Sequence, residues 1–350
     1  MSKVFSIISF AGAALLSAGV SFAGVFDEGG DRLATLQNND GGWDYPLTNG
    51  NPATGTAPNT IGPIGKGLAE AHAQTGSASQ GASLSDAGGY LLAKTNTFSP
   101  SDGYLAVALD QAFGGTTYSN YVKANFYDKL AAGTYQRSGN PTMHTTASYT
   151  TLIRNARPNN LSTWDLGMGL YAAQAIGAST SDWVSATKAE LNESAAGQNY
   201  DVLGLAGGIL GLAAAGESFD PTTGSFASDS SLADLGSRLS SYQLSTGGFT
   251  YVTGANTANS DETVQETAYA ILALNELNRA GYLTDMNEAS AYLLSMQLGT
   301  GGWENYPGGG EDNEITGEAL WAVSAVPEPT GIALLAMGAA ALLLRRHRQA

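Results

Sequence analysis

Apolar residues recur along this chain at helical spacing, and three such stretches end in one shared signature. Leu232, Leu235, Leu239 and Tyr242 stand 11, 8, 4 and 1 positions before Gln243, and the same offsets before Gln297 give Met286, Ala289, Leu293 and Met296. Before Gln37 three of the four positions are apolar: Phe26, Leu33 and Leu36. Spacings of three and four put these side chains on one face of a helix. Each stretch then runs Gln, three residues, Gly-Gly and an aromatic: Gln37 with Gly41, Gly42 and Trp43; Gln243 with Gly247, Gly248 and Phe249; Gln297 with Gly301, Gly302 and Trp303. The pattern predicts that each Gln ends a helix and that Gly-Gly terminates it.

A polar loop and a second helix of smaller residues follow each signature, as in 263–280 and 315–323. Gln243 and Gln297 lie 54 residues apart, and the 206 residues from Gln37 to Gln243 are close to four such periods. Repeats of this length predict a stacked helical array. The expected helix pairs are 26–37/60–75, 84–95/101–113, 118–131/163–177, 181–195/200–215, 230–243/262–280 and 286–297/314–324. Six outer–inner pairs would close a ring, with small residues such as those of Gly204–Gly211 allowing close helix approach on the inside. The stretch 140–162 is too long for a plain loop and predicts an extra short helix or a cover over the ring.

These signatures resemble the α/α toroid of the terpenoid cyclase and protein prenyltransferase superfamily, whose hallmark is the Gln…Gly-Trp motif. The resemblance implies an all-α toroid of about six helix pairs across residues 24–326. It does not carry the family chemistries over. Hopene and squalene cyclases protonate their substrate with Asp-x-Asp-Asp-Thr-Ala, whose middle Asp is the acid. The matching segment Thr263–Ala268 retains only Glu266 among the acids and has Gln265 in the donor's place. Glutamine has no proton to give. Prenyltransferases hold zinc with Asp, Cys and His, and this chain has no Cys.

The ends carry a different message. Residues 1–23 have one Lys, a short apolar stretch and small residues before a cut after Ala23, the pattern of a secretory signal peptide. From Pro327-Glu328-Pro329 the chain runs through an apolar segment, 331–344, to Arg345, Arg346 and Arg348. Proline stops the preceding helix, the apolar run is shorter than a full span of ~20 residues, and the arginines favour the cytoplasmic side. This tail (327–350) resembles the PEP-CTERM sorting signal. The resemblance implies a C-terminal transmembrane helix, transient anchoring in the inner membrane, and processing by an exosortase. Delivery to the envelope or extracellular matrix would follow. Signal peptidase and an exosortase are thus the expected partners.

Composition narrows the remaining chemistry. With 43% hydrophobic and 13% charged residues the chain has ample core and is not disordered. A formal charge of −16 argues against nucleic acid, which needs clustered Lys and Arg. The absence of Cys removes thiolate zinc sites, disulfides and Cys nucleophiles, and His72 and His144 are too few for a self-evident metal site. No metal or cofactor is expected.

What remains are acids at the starts of inner helices: Asp165 in the third pair, Asp261, Glu262 and Glu266 in the fifth, and Glu311, Asp312, Glu314 and Glu318 in the sixth. Carboxylates there cap free N–H groups and suit the helix dipole. Alternatively, when crowded they raise one another's pKa and provide a general acid. Asp261, Glu266, Asp312 and Glu318 are the catalytic candidates and are expected to converge. The sequence thus points to an exported binding or structural protein of the envelope or exopolysaccharide matrix. An extracellular polysaccharide-degrading enzyme on the same toroid is the alternative, and a terpene cyclase-like enzyme a remote one.

Overall fold

The computed structural model describes residues 22–44, 56, 60–195, 198–252 and 262–327. One set of helices carries an apolar stripe and turns its other side to solvent. These are α1 (Phe22–Thr35), α3 (Ala78–Ala93), α5 and α6 (Thr117–Val122 and Asp128–Ala131, joined by a π-helical turn over Lys123–Tyr127), α9 (Ser181–Asn192), α11 (Leu232–Ser240) and α13 (Leu283–Ser295). The other set is buried along most of its length: α2 (Ile61–Thr75), α4 (Asp102–Phe113), α8 (Thr163–Ala175), α10 (Asp201–Ala214), α12 (Val264–Asn278) and α14 (Asn313–Ala325). A helix apolar on every side belongs inside. Accordingly α2, α4, α8, α10, α12 and α14 neighbour one another in that order, and α14 returns to α2. Each outer helix packs on an inner one, so six pairs close the expected ring.

Small residues set how tightly the ring closes. A Cβ on Gly67 of α2 would fall 2.0 Å from the Gly317 carbonyl of α14, and one on Gly167 of α8 1.9 Å from the Gly207 carbonyl of α10. Larger side chains fill the axis. The Tyr104 and Tyr269 hydroxyls both meet the Met168 sulfur, and Tyr104, Tyr171 and Trp321 pack with ring centroids 5.5–6.1 Å apart.

The repeated signature works differently from the expectation. The helices stop at Thr35, Ser240 and Ser295, before each Gln, and Gly-Gly lies four residues further on, in a tight turn. Gly41, Gly247 and Gly301 have φ of 89°, 93° and 92°, which only glycine adopts without strain. Each Gln amide donates twice. Gln37 reaches the Gly41 and Ser83 carbonyls, Gln243 those of Gly247 and Asp285, and Gln297 those of Gly301 and Val25. The second acceptor always belongs to the next outer helix, so Gln pins neighbouring repeats together. Gln297 does this across the closure, onto α1. Gly29, the one position where the apolar offset fails, is also explained there: its missing side chain makes room for Trp303, whose ring would lie 3.0 Å from a Cβ. Replacing Gln297 with Ala removes both bonds and is expected to cost about 1–3 kcal/mol, read as a lowered denaturant midpoint with unchanged m-value.

The stretch 140–162 does hold an extra helix, α7 (Thr146–Ala156), opened by a Thr145/Ser148 capping box after a hairpin of β1 (Tyr135–Gln136) and β2 (Met143–His144). Arg154 ties α7 to Glu190 and Glu193 at 2.8 and 2.6 Å. Two more hairpins sit between outer and inner helices: β3 (Phe249–Thr250) with β4 (Glu262–Thr263), and β5 (Trp303–Glu304) with β6 (Glu311–Asp312). In the second pair, Lys94 contacts both oxygens of buried Asp102 at 2.7 and 2.8 Å. Lys94→Met strands that carboxylate and is expected to cost about 3–5 kcal/mol in thermal or urea unfolding.

Among the described residues no helix is long and apolar enough to cross a membrane. Residues 1–21, Glu328, Pro329, Arg345, Arg346 and the expected membrane segment lie outside the described residues, while Ala23 falls in the first turn of α1 and Pro327 follows α14.

Candidate functional site

Acids from two inner helices that are not neighbours in the ring lie near enough to act on one another electrostatically. Glu314 and Glu318 lie one turn apart on α14, both buried. Burial pushes the Glu314 carboxyl up to about 8; Asp312 and Asp165 add to the rise, and Arg157 opposes it. Asp165, on α8, is itself raised to about 6 by burial, again against the pull of Arg157. Glu318 is pushed well above the carboxylate range by burial and by Glu314, although hydrogen bonds from Gln265 Nε2 (3.1 and 3.3 Å) and the Tyr269 hydroxyl favour its ionised form. Burial thus favours the protonated, hydrogen-bond-donating form of Glu314 and Glu318 more strongly than that of Asp165.

Asp312 has an assigned job. Its carboxylate caps α14, accepting from the Glu314 and Ile315 amides at 2.7 and 3.3 Å. Glu311 forms a bidentate pair with Arg32 at 2.6 and 2.8 Å, tying the last hairpin to the first helix. The helix-end reading thus holds for Asp312, and ring closure accounts for Glu311.

Glu266 belongs to a second group. It is wholly buried and raised to about 7 by burial, with Asp201 of α10 adding to the rise and the Thr263 hydroxyl opposing it. Its Oε1 has no hydrogen-bond partner. Beside this group Tyr200 adopts a left-handed backbone (φ 57°) and packs its ring against Tyr251 at 5.8 Å. Such a conformation costs on the order of 1 kcal/mol in a non-glycine residue. The expected convergence is therefore partial: Asp312 and Glu318 share a site with Glu314 and Asp165, Glu266 faces α10, and Asp261 lies outside the described residues. Among the described residues no group of three or more His, Cys, Asp or Glu is arranged to hold a metal.

Glu314 stood in the sequence only as one acid among several at helix starts. The hairpin registers show more. Phe249 pairs with Thr263, and Trp303 with Asp312, so Asp312–Gly317 occupies in the last repeat the place of Thr263–Ala268 in the one before. That later segment begins with Asp, has Thr in the fifth position, and carries Glu314 in the middle acid's place. Setting the two segments under each other would have found it.

Comparison with known proteins adds the fold. No family model matches the chain, and no curated protein matches it. Among solved structures, a protein from Actinoplanes superposes with a TM-score of 0.53 at 15% identity, covering 87% of this chain and 99% of that one. The type II terpene cyclase MstE from Scytonema in its apo form gives 0.52 at 15% identity, covering 86% and 96%. A single-residue variant of that enzyme, bound to the product merosterolic acid A, gives 0.50 at 15% identity, covering 86% and 95%. At these identities the likeness is one of fold: the chain has a terpene cyclase-like α/α architecture.

Proposed function

We propose that this is an exported protein of the cell envelope or exopolysaccharide matrix, in which the toroid is a binding scaffold and the Glu314–Glu318 end of the ring its ligand site. The observation that carries the binding part is that pair of acids buried one turn apart on α14, where burial favours their protonated forms. Burying two carboxyls costs stability, which a folding role does not repay. Carboxyls beside the Gln265 amide offer hydrogen-bond donors and acceptors, the recognition set of hydroxyl-rich ligands. Export and sorting rest on the terminal segments. Signal peptidase would remove residues 1–23, and an exosortase would act near Pro327-Glu328-Pro329.

Two measurements test this. Mass spectrometry of protein from the producing cell is expected to lack residues 1–23 and Arg345–Arg348; extracellular protein that keeps those arginines refutes the sorting. A glycan array with product analysis is expected to show capture that Glu318→Gln weakens without unfolding the chain. Shortened products would instead favour the polysaccharide-degrading reading, with Glu314 as acid and ionised Asp165 as base.

One observation favours a second reading. Glu314 occupies the donor position of the cyclase motif and is protonated at neutral pH. A carboxylic acid there suits protonation of an isoprenoid double bond. Incubation with geranylgeranyl dihydroxybenzoate, the substrate bound by another variant of the Scytonema enzyme, tests it. A cyclised product that Glu314→Gln abolishes supports this reading; unchanged substrate excludes it for that compound.

A further inference from the structure

The extra helix α7, the β1–β2 hairpin and the start of α8 enclose a cavity of about 480 Å³, which the repeat pattern does not account for. Its volume lies within the roughly 300–1,000 Å³ of small-molecule sites. Arg137 and Arg157 line it together with Asp165, Phe98, Tyr149 and Asn96. Arg32, Arg154 and Arg238 each hold a carboxylate partner. Arg137 and Arg157 make no such pair among the described residues, and both are exposed. The Arg157 guanidinium instead lies over the Trp164 ring, 5.1 Å from its centroid, which leaves its donor edge free. In a chain of net charge −16, two arginines against the single acid Asp165 leave this cavity's lining net positive in a field that otherwise repels anions.

We propose that this cavity binds a sugar acid, a hexose unit carrying a carboxylate, with Arg137 and Arg157 holding the carboxylate and Phe98 and Tyr149 the apolar face of the ring. A planar guanidinium matches a carboxylate through two parallel hydrogen bonds. Asp165 and Asn96 supply partners for hydroxyls, which a bare inorganic anion does not need. The inference adds a charge class to the glycan reading above; it shares Asp165 with the ring-end site but rests on Arg137 and Arg157, to which that reading gives no ligand contact.

The test is ligand-observed NMR titration of the mature chain with D-glucuronate, D-glucose and sodium sulfate. Wild-type protein is expected to bind glucuronate in preference to both, and the Arg137→Gln/Arg157→Gln double variant to bind it at least about tenfold more weakly. Both side chains are exposed, so the double variant is expected to melt as the wild type does. Three results would overturn the proposal: no glucuronate binding up to about 10 mM, beyond the usual range of specific affinity; equal binding of glucose or sulfate; or unchanged binding by the double variant. Glu318→Gln separates the two sites. In that variant, lost glycan capture with glucuronate binding intact shows two independent sites, whereas glucuronate binding lost along with it overturns a separate cavity site.

Discussion

Raising the pH from 5 to 8 is expected to lower the stability of the folded chain, and Glu266→Gln is expected to remove part of the loss. A carboxyl raised on folding keeps its proton in the native state at a pH where the unfolded chain has released it. Stability then falls as pH climbs from the unfolded to the folded pKa. For Glu266 that window runs from 4.5 to about 7, for Glu314 from 4.5 to about 8, and for Asp165 from 3.8 to about 6. Glu266 alone accounts for a loss of about 3 kcal/mol by this arithmetic. Self-repulsion of a chain with a formal charge of −16 acts in the same direction but is screened by salt, whereas the buried acids are not. Thermal melts across this range at high ionic strength isolate the buried contribution. Glu266→Gln and Glu318→Gln should both melt higher than wild type at pH 8 and show little gain at pH 5. If both melt lower at every pH, these acids stabilise the fold and the ligand site lies elsewhere.

Gly67→Ala is expected to be among the most damaging single-methyl changes in the chain. Its Cβ would lie 2.0 Å from the Gly317 carbonyl, a backbone atom that cannot turn aside. The α2–α14 seam where this happens closes the ring, so separating it also disturbs the acids on α14. Overpacking of this kind costs about 3 kcal/mol or more. Gly89→Ala provides the control: it is a helical glycine in α3, exposed, with nothing within 4 Å of the added methyl. That change should stabilise the chain by about 0.5–1 kcal/mol, the ordinary helix preference for Ala. Urea unfolding of the two variants should therefore shift in opposite directions. Equal shifts would mean that the inner helices have room to part.

The helix pairs were legible because burial imposes a period. Leu232, Leu235 and Leu239 had to face the core of an outer helix, and the all-round apolar run of α10 could only lie inside. The glycines of the inner helices likewise announced a close approach. What each polar group touches was not legible, because those partners come from distant parts of the chain. Local spacing presents Gln297 as a helix end, yet its amide reaches Val25, 272 residues earlier, across the ring closure. Asp312 and Glu314 look alike at the start of one helix. Packing turns the first into a hydrogen-bonded cap and the second into a neutral acid facing Asp165 from across the ring. The cavity beneath α7 was likewise out of reach, since 140–162 breaks the repeat and carries no period of its own. Hydrophobic periodicity is a local property, so the repeat, the ring and the acidic character of its inner helix starts follow from the order of residues alone. Which acids are neutral, and which arginines are left unpaired, emerges only in the packed ring, because desolvation and Coulomb interaction depend on distance in space rather than along the chain.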